Sequence, residues 1–162
     1  LIDYSSRSAN PVGRLVLTLF GQTSWQQLEA SDAICTALQL TNFWQDVGVD
    51  YSRGRVYLPG DEMARCGVSE ENLKRGHVND CFRALMSEMV DRTRRLFEAG
   101  HTLPESVSGR LRYELRLTWL GGWTILNKID AAGYDVFTKR PTVTRSRGCV
   151  LLLRSLSPIR IA

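Results

Sequence analysis

Long apolar runs are missing from this sequence. The longest, such as Val150 to Leu153, fall far short of the roughly 20 residues that a membrane-spanning helix needs. No charged n-region, apolar h-region and small-residue cleavage site occur in order, so no signal peptide is read. Histidine is scarce: His77 and His101 each follow a glycine, lack metal-ligand spacing with cysteine or each other, and read as loop residues. The four cysteines, Cys35, Cys66, Cys81 and Cys149, form no C-x-x-C pair. That spacing argues against a disulfide framework and against thiolate-metal chemistry, and it reads as buried reduced thiols in a cytosolic protein. Acid is absent after Asp135, while Lys139, Arg140, Arg145, Arg147, Arg154 and Arg160 accumulate, making residues 139–162 a basic, apolar tail. Methionine is missing from the first position. The abrupt start at Leu1 reads as a processed product or a fragment.

What is present suits one globular domain. The 162 residues are 43% apolar and 23% charged, ordinary for a folded chain with a real core. The periodicity is helical nearly throughout, nothing alternates with period two long enough for a sheet, and no internal repeat is found. Val12, Leu15, Val16 and Leu19 trace one face that ends at Gly21. Ser24 is placed to cap a helix running through Leu28, Ile34, Ala37 and Leu38 past Asp46 to Arg53–Gly54. Arg55 to Pro59 reads as an extended loop, because the residue before proline avoids helical geometry. Asp61–Glu62 falls in a loop, Ser69 caps a short helix, and Asn79 starts a long one that stops at Gly100. A last helix runs from about Ser106 to Ala132, with Gly133 as its stop. The expectation is an all-α fold of about five helices.

Chemistry concentrates in Leu38 to Pro59, LQLTNFWQDVGVDYSRGRVYLP. Asn42, Asp46 and Asp50 stand four apart and Gln39 three before them, so a continuous helix projects all four from one face, each turn rising roughly 6 Å. Two carboxylates and an amide oxygen on one edge suit a hard cation such as Mg2+, which takes oxygen ligands and bridges to phosphates. The pattern carries local costs. Like charges four apart destabilise a helix by a few tenths of a kcal/mol, and Gly48 between them costs about 1 kcal/mol. Such costs point to function, although a solvated polar face would show the same spacing. Beyond Asp50, Arg53 and Arg55 place two guanidinium forks where a diphosphate on the metal would hang. Tyr57 adds an aromatic face able to stabilise a carbocation.

The pattern Q-x-x-N-x-x-x-D-x-x-x-D followed by R-x-x-x-P resembles the second aspartate-rich motif of the squalene/phytoene synthase family, the head-to-head trans-isoprenyl diphosphate synthases. Tyr4 to Gly13, YSSRSANPVG, is similar to a helix that lines the family's cavity. Gly133–Tyr134–Asp135–Val136 and Arg140–Pro141 resemble its closing helix and tail. Within the family, NFWQDV and GRVYLP look most like the hydroxysqualene synthases of bacterial hopanoid biosynthesis. Gln45 stands where arginine is frequent in squalene and phytoene synthases, and Val49 where glutamate is frequent.

The resemblance implies an isoprenoid-synthase-type helical bundle, with residues 1–162 as the C-terminal part of a single domain. It implies Mg2+-assisted ionisation of presqualene diphosphate and capture of the cation by water. Asn42, Asp46 and Asp50 would hold metal, Arg53 and Arg55 the diphosphate, and Gln39, Tyr4 and Tyr57 would line the cation's pocket. The rival enzyme reading is a squalene or phytoene synthase condensing two prenyl diphosphates such as farnesyl diphosphate. Family members run to nearly twice this length and carry a first aspartate-rich helix, for which this chain offers no candidate: Asp3 and Asp32 stand alone. The implied missing half makes a non-catalytic binding or assembly module a third reading, and activity of these residues alone is doubtful.

Tyr4 reads equally as a cavity residue and as a packed core tyrosine. Trp119 and Trp123, four apart, read first as core and second as cavity lining. The leucines and arginines from Arg145 to Ile161 suit a solvated end, a segment lying on the inner face of a membrane, or a helix docked on the missing half. No nucleic-acid-binding motif accompanies the basic tail.

Overall fold

The computed structural model describes residues 1–160. Among these the architecture is all-α, with nine α-helices, a 3₁₀ turn and no strand. In chain order they are α1 (Ile2–Ser8), α2 (Asn10–Leu19), α3 (Trp25–Gln45), α4 (Val47–Ser52), α5 (Gly60–Arg65), α6 (Glu70–Arg75), α7 (Asp80–Gly100), α8 (Gly109–Ala131) and α9 (Arg145–Ser155); the 3₁₀ turn is Leu103–Ser106. The number exceeds the five expected because α1, α4, α5 and α6 are too short for a period of 3.6 to show in the sequence. Asp61 and Glu62, expected in a loop, sit in the first turn of α5, where carboxylates favour the positive helix end.

Local chemistry explains the starts. Ser24 accepts from the Gln27 amide while Gln27 reaches back to the Ser24 amide, a complete capping box. Ser69 and Asn72 repeat the arrangement before α6, and Asn79 Oδ1 accepts from the Phe82 amide at 2.8 Å before α7. Gly76 and Gly133 end α6 and the α8 turn with φ of 59° and 60°, a region open to glycine at little cost.

α3 is the centre of the bundle, packing against α2, α7 and α8. Phe82, Leu85, Met86, Val90 and Phe97 of α7 are fully buried, as are Ala37 and Trp44 of α3 and Leu126 and Ile129 of α8. Each large apolar side chain so removed from water stabilises the fold by about 1.5–3 kcal/mol. Polar edges within this core are satisfied: Trp44 Nε1 donates to Thr93 Oγ1 at 2.8 Å, and Trp119 Nε1 donates to the Phe97 carbonyl at 2.8 Å. Trp119 is buried and stacks on Trp123 at 4.9 Å, which favours the core reading of that pair.

Gly100 is not a left-handed stop. It lies inside α7, where a Cβ would come within 2.5 Å of Ile34 Cγ1 and 2.7 Å of the Ala30 carbonyl, so it allows α7 and α3 to approach closely. Cys81 and Cys149 are exposed and Cys35 and Cys66 half-buried, all four as free thiols, which corrects the expectation of buried ones. Burial together with little compensating charge raises the Cys35 thiol above its ordinary pKa. On the outer side, Val12, Leu15 and Leu19 of α2 are exposed, with Phe20 and Trp25 next to them.

Candidate active site

The helix carrying the acidic motif is not continuous. α3 ends at Gln45, the backbone turns at Asp46 (φ −105°, ψ 10°), and α4 resumes at Val47. The hydrogen-bond ladder nevertheless survives the bend. The Asp46 amide donates to the Asn42 carbonyl at 3.0 Å and the Asp50 amide to the Asp46 carbonyl at 2.7 Å. The four-residue step from Asn42 to Asp46 to Asp50 is therefore kept, while the straight single-helix edge expected from spacing becomes two short edges meeting at Asp46.

Residues from the far end of the chain brace this bend. Arg140 forms a two-point ion pair with Asp46, and the Gln45 side-chain amide, buried, donates to the Pro141 carbonyl. Lys128 Nζ donates to the Thr142 carbonyl at 2.6 Å, pinning the same segment to α8. Gly48 lies beneath it: a Cβ there would sit 3.2 Å from both the Val136 carbonyl and Phe137 Cα. The glycine that reads as a functional cost in the sequence thus has a packing cause. Pairing with Asp46 pushes the Arg140 guanidinium above its ordinary pKa.

The remaining polar groups are less committed. Asn42 is exposed, Asp50 half-buried, and neither side chain has a hydrogen-bond partner among the described residues. The Arg53 and Arg55 amides both donate to the Asp50 carbonyl, at 3.0 and 2.9 Å, around Gly54 at φ 73°. That tight wrap returns the chain onto the end of α4 and keeps both arginines beside Asp50, exposed and without an ion pair among the described residues. Tyr57 stacks on Phe43 at 4.1 Å and 15°, and Tyr4 tilts against the other side of the cluster at 5.8 Å from Phe43. Tyr4 is half-exposed, so it is not a packed core tyrosine.

Gln39 and Asn42 line a cleft of about 490 Å³ between α2, α3 and α8, whose walls are largely apolar and include Val12, Val16, Leu38 and Leu115. A larger cleft of about 620 Å³, between α8 and the C-terminal residues, holds none of the predicted site residues.

The donor set of Asn42, Asp46 and Asp50 is all oxygen, which fits a hard divalent cation. Among the described residues no three His, Cys, Asp or Glu side chains converge on a metal position. Two carboxylates and an amide supply part of a coordination sphere, the rest being left to water and phosphate oxygens, as such ions prefer. Gln45 and Arg140 were not singled out as site residues by the sequence. Their partners lie 96 and 94 positions away, and no local spacing announces such a contact.

A model of the squalene/phytoene synthase family matches residues 1–147. The chain belongs to that family. It is 34% identical over 150 residues to phytoene synthase 1, chloroplastic, of Solanum lycopersicum, covering 89% of this chain and 36% of that protein. Among solved structures it superposes on squalene synthase HpnC from Alicyclobacillus acidocaldarius with a TM-score of 0.78 and 39% identity, covering 82% of this chain and 51% of that one. A dehydrosqualene synthase in complex with ligand gives a TM-score of 0.87 at 26% identity, covering 96% and 55%. The chain spans about a third to a half of the length of the curated relatives it matches. Prenyl-transferring synthase chemistry on prenyl diphosphates and the all-α isoprenoid-synthase fold are what this family shares.

Proposed function

We propose that this chain carries the second acidic edge of an enzyme that ionises presqualene diphosphate and captures the cation with water, giving hydroxysqualene for hopanoid synthesis. One observation carries the site assignment. Asn42 and Asp50, unpartnered, flank the bend at Asp46, next to two uncommitted arginines and an apolar cleft that Gln39 and Asn42 line. The 39% identity to a solved HpnC squalene synthase supports this branch.

Asn42, Asp46 and Asp50 would hold Mg2+, and the ion, when bound, would neutralise charge on the departing diphosphate. Arg53 and Arg55 grip the diphosphate through charge-assisted hydrogen bonds. The carbon–oxygen bond breaks with its electron pair leaving on the diphosphate. The rings of Tyr57 and Tyr4 face the resulting cation. Water then adds and loses a proton, completing the alcohol. Gln39, on the cleft wall, is placed to orient that water. The substrate and product are lipids, and no helix among the described residues is long and apolar enough to cross a membrane; a cytoplasmic enzyme working at a membrane's inner face fits both.

A second reading is condensation of two prenyl diphosphates, favoured by curated relatives that are phytoene synthases at 34–40% identity. The enzyme containing this chain, incubated with Mg2+ and either presqualene diphosphate or farnesyl diphosphate, separates the two. A tertiary alcohol from presqualene diphosphate supports the first reading, and a hydrocarbon from paired prenyl diphosphates replaces it with the second. The 162 residues alone carry one acidic edge and are expected to release no diphosphate; turnover by them would overturn the need for an opposing edge.

A further inference from the structure

An apolar stripe with correct helical spacing faces outward on α9. Cys149, Leu152, Leu153 and Leu156 follow the i, i+3, i+4, i+7 rule that places side chains on one face. All four are exposed, Leu153 at 69% and Leu156 at 65%. Inward-facing positions are filled instead by Leu151 and Ser155, both buried against α8. Arg116 locks this orientation. Its Nη1 donates to the Ser155 carbonyl at 3.2 Å while Nε and Nη2 grip Glu105 at 2.8 and 2.7 Å. The stripe therefore cannot roll inward without breaking a buried guanidinium's contacts.

Charge says what the stripe meets. Arg147 and Arg154, two turns apart, run along its flank. With Lys128 and Arg160 they converge on a cleft of about 490 Å³ that also includes Trp123 and Asn127, and no carboxylate lines it. Arg147, Arg154 and Arg160 form no ion pair among the described residues. Leucines beside a convergence of cations match a lipid surface, where apolar side chains enter the acyl boundary and basic ones meet headgroup phosphates. A second copy fits poorly, since each copy would bring the same arginines against the other's. The family model's match ends at residue 147, so the leucines of the stripe lie past the part it describes.

We propose that α9 is a membrane-surface helix that lays Leu152, Leu153 and Leu156 on an anionic bilayer while Lys128, Arg147, Arg154 and Arg160 bind its phosphates. This stands apart from the catalytic reading, because none of these residues belongs to the acidic edge. Co-sedimentation of the 162-residue chain with vesicles tests it, comparing phosphatidylglycerol–phosphatidylethanolamine with phosphatidylcholine alone. Binding is expected on the anionic vesicles and to weaken with salt. R147Q/R154Q should weaken it about fivefold per arginine, about twenty-five-fold together. L152E/L153E should weaken it at least about tenfold, with circular dichroism unchanged because both positions are exposed. L15E/L19E on α2, the other exposed apolar face, should bind as the parent does. The proposal is overturned if the parent ignores anionic vesicles, if neutral vesicles bind it equally well, or if L152E/L153E binds undiminished. It is equally overturned if L15E/L19E abolishes binding. A dimer on gel filtration that L152E/L153E dissociates, without vesicle binding, would reassign the stripe to a second copy and overturn it too.

Discussion

Arg140 holds Asp46 by both carboxylate oxygens, with Nη2 at 3.2 Å from Oδ2, across 94 positions of sequence. The pair is partly exposed, 44% for the arginine side chain and 26% for the aspartate, so its own stability contribution is small, up to about 1 kcal/mol. Its consequence lies elsewhere. The central carboxylate of the acidic edge already carries a cation, and any metal that binds there must share Asp46 with Arg140 or displace it.

That competition sets the first prediction. Arg140→Ala should raise the affinity of the chain for Mn2+, a spectroscopic stand-in for Mg2+, about two- to five-fold, the worth of a surface ion pair. Asp46→Asn should lower it below the parent. Electron paramagnetic resonance titration of free Mn2+ reads both. If neither substitution changes the affinity, Asp46 is not a ligand.

In the whole enzyme, Asp46→Asn and Arg55→Ala should fail differently. Asp46→Asn should depress kcat and resist rescue by added Mg2+. Arg55 contacts diphosphate before and during departure, so much of its loss should appear in KM. A charge-assisted contact is worth about 1.5–3 kcal/mol, which places the Arg55→Ala loss at roughly 10- to 200-fold in kcat/KM. Steady-state kinetics with presqualene diphosphate across a Mg2+ titration decides; near-native turnover by Asp46→Asn would remove the metal role from this helix.

Stability should depend on Glu105 and on pH. Hydrogen bonds from Arg116 hold the Glu105 carboxyl below the usual carboxylate range. A carboxyl depressed in the folded state contributes stability above its unfolded pKa, about 4.3, and loses it as pH falls through the lower folded value. Glu105→Gln leaves the buried Arg116 without its counter-charge. The cost at pH 7 should be about 2 kcal/mol, less than for a fully buried pair because the Glu105 side chain is 38% exposed. Urea unfolding at pH 7 and pH 3 should show that gap closing in acid; a gap that persists at pH 3 would deny the charge its part.

Two helix glycines should answer alanine in opposite directions. Gly100→Ala drives a methyl into Ile34 and the Ala30 backbone, costing about 1–3 kcal/mol. Gly121→Ala, in α8, meets nothing within 4 Å and gains helix propensity, up to about 1 kcal/mol. Thermal melts should move by about 2–4 °C per kcal/mol, down for Gly100→Ala and up for Gly121→Ala. A Gly100→Ala melt at or above the parent would deny the close approach of α3 and α7.

The sequence by itself determined the helical class, the caps at Ser24, Ser69 and Asn79, and the long helices α3, α7 and α8. Capping and amphipathic spacing are local, so a few neighbouring residues suffice to show them. It also determined the step from Asn42 to Asp46 to Asp50 and the arginines after it, because helical geometry carries that spacing directly. Only the tertiary structure decided that the helix bends at Asp46, that Gly48 and Gly100 serve close approach, and that Arg140 and Pro141 brace the bend. It also decided which leucines of α9 face outward. Each of these depends on where a second segment, tens of residues away, comes to rest. Spacing along one helix shows which side chains share a face but not what that face meets, and packing supplies the partner.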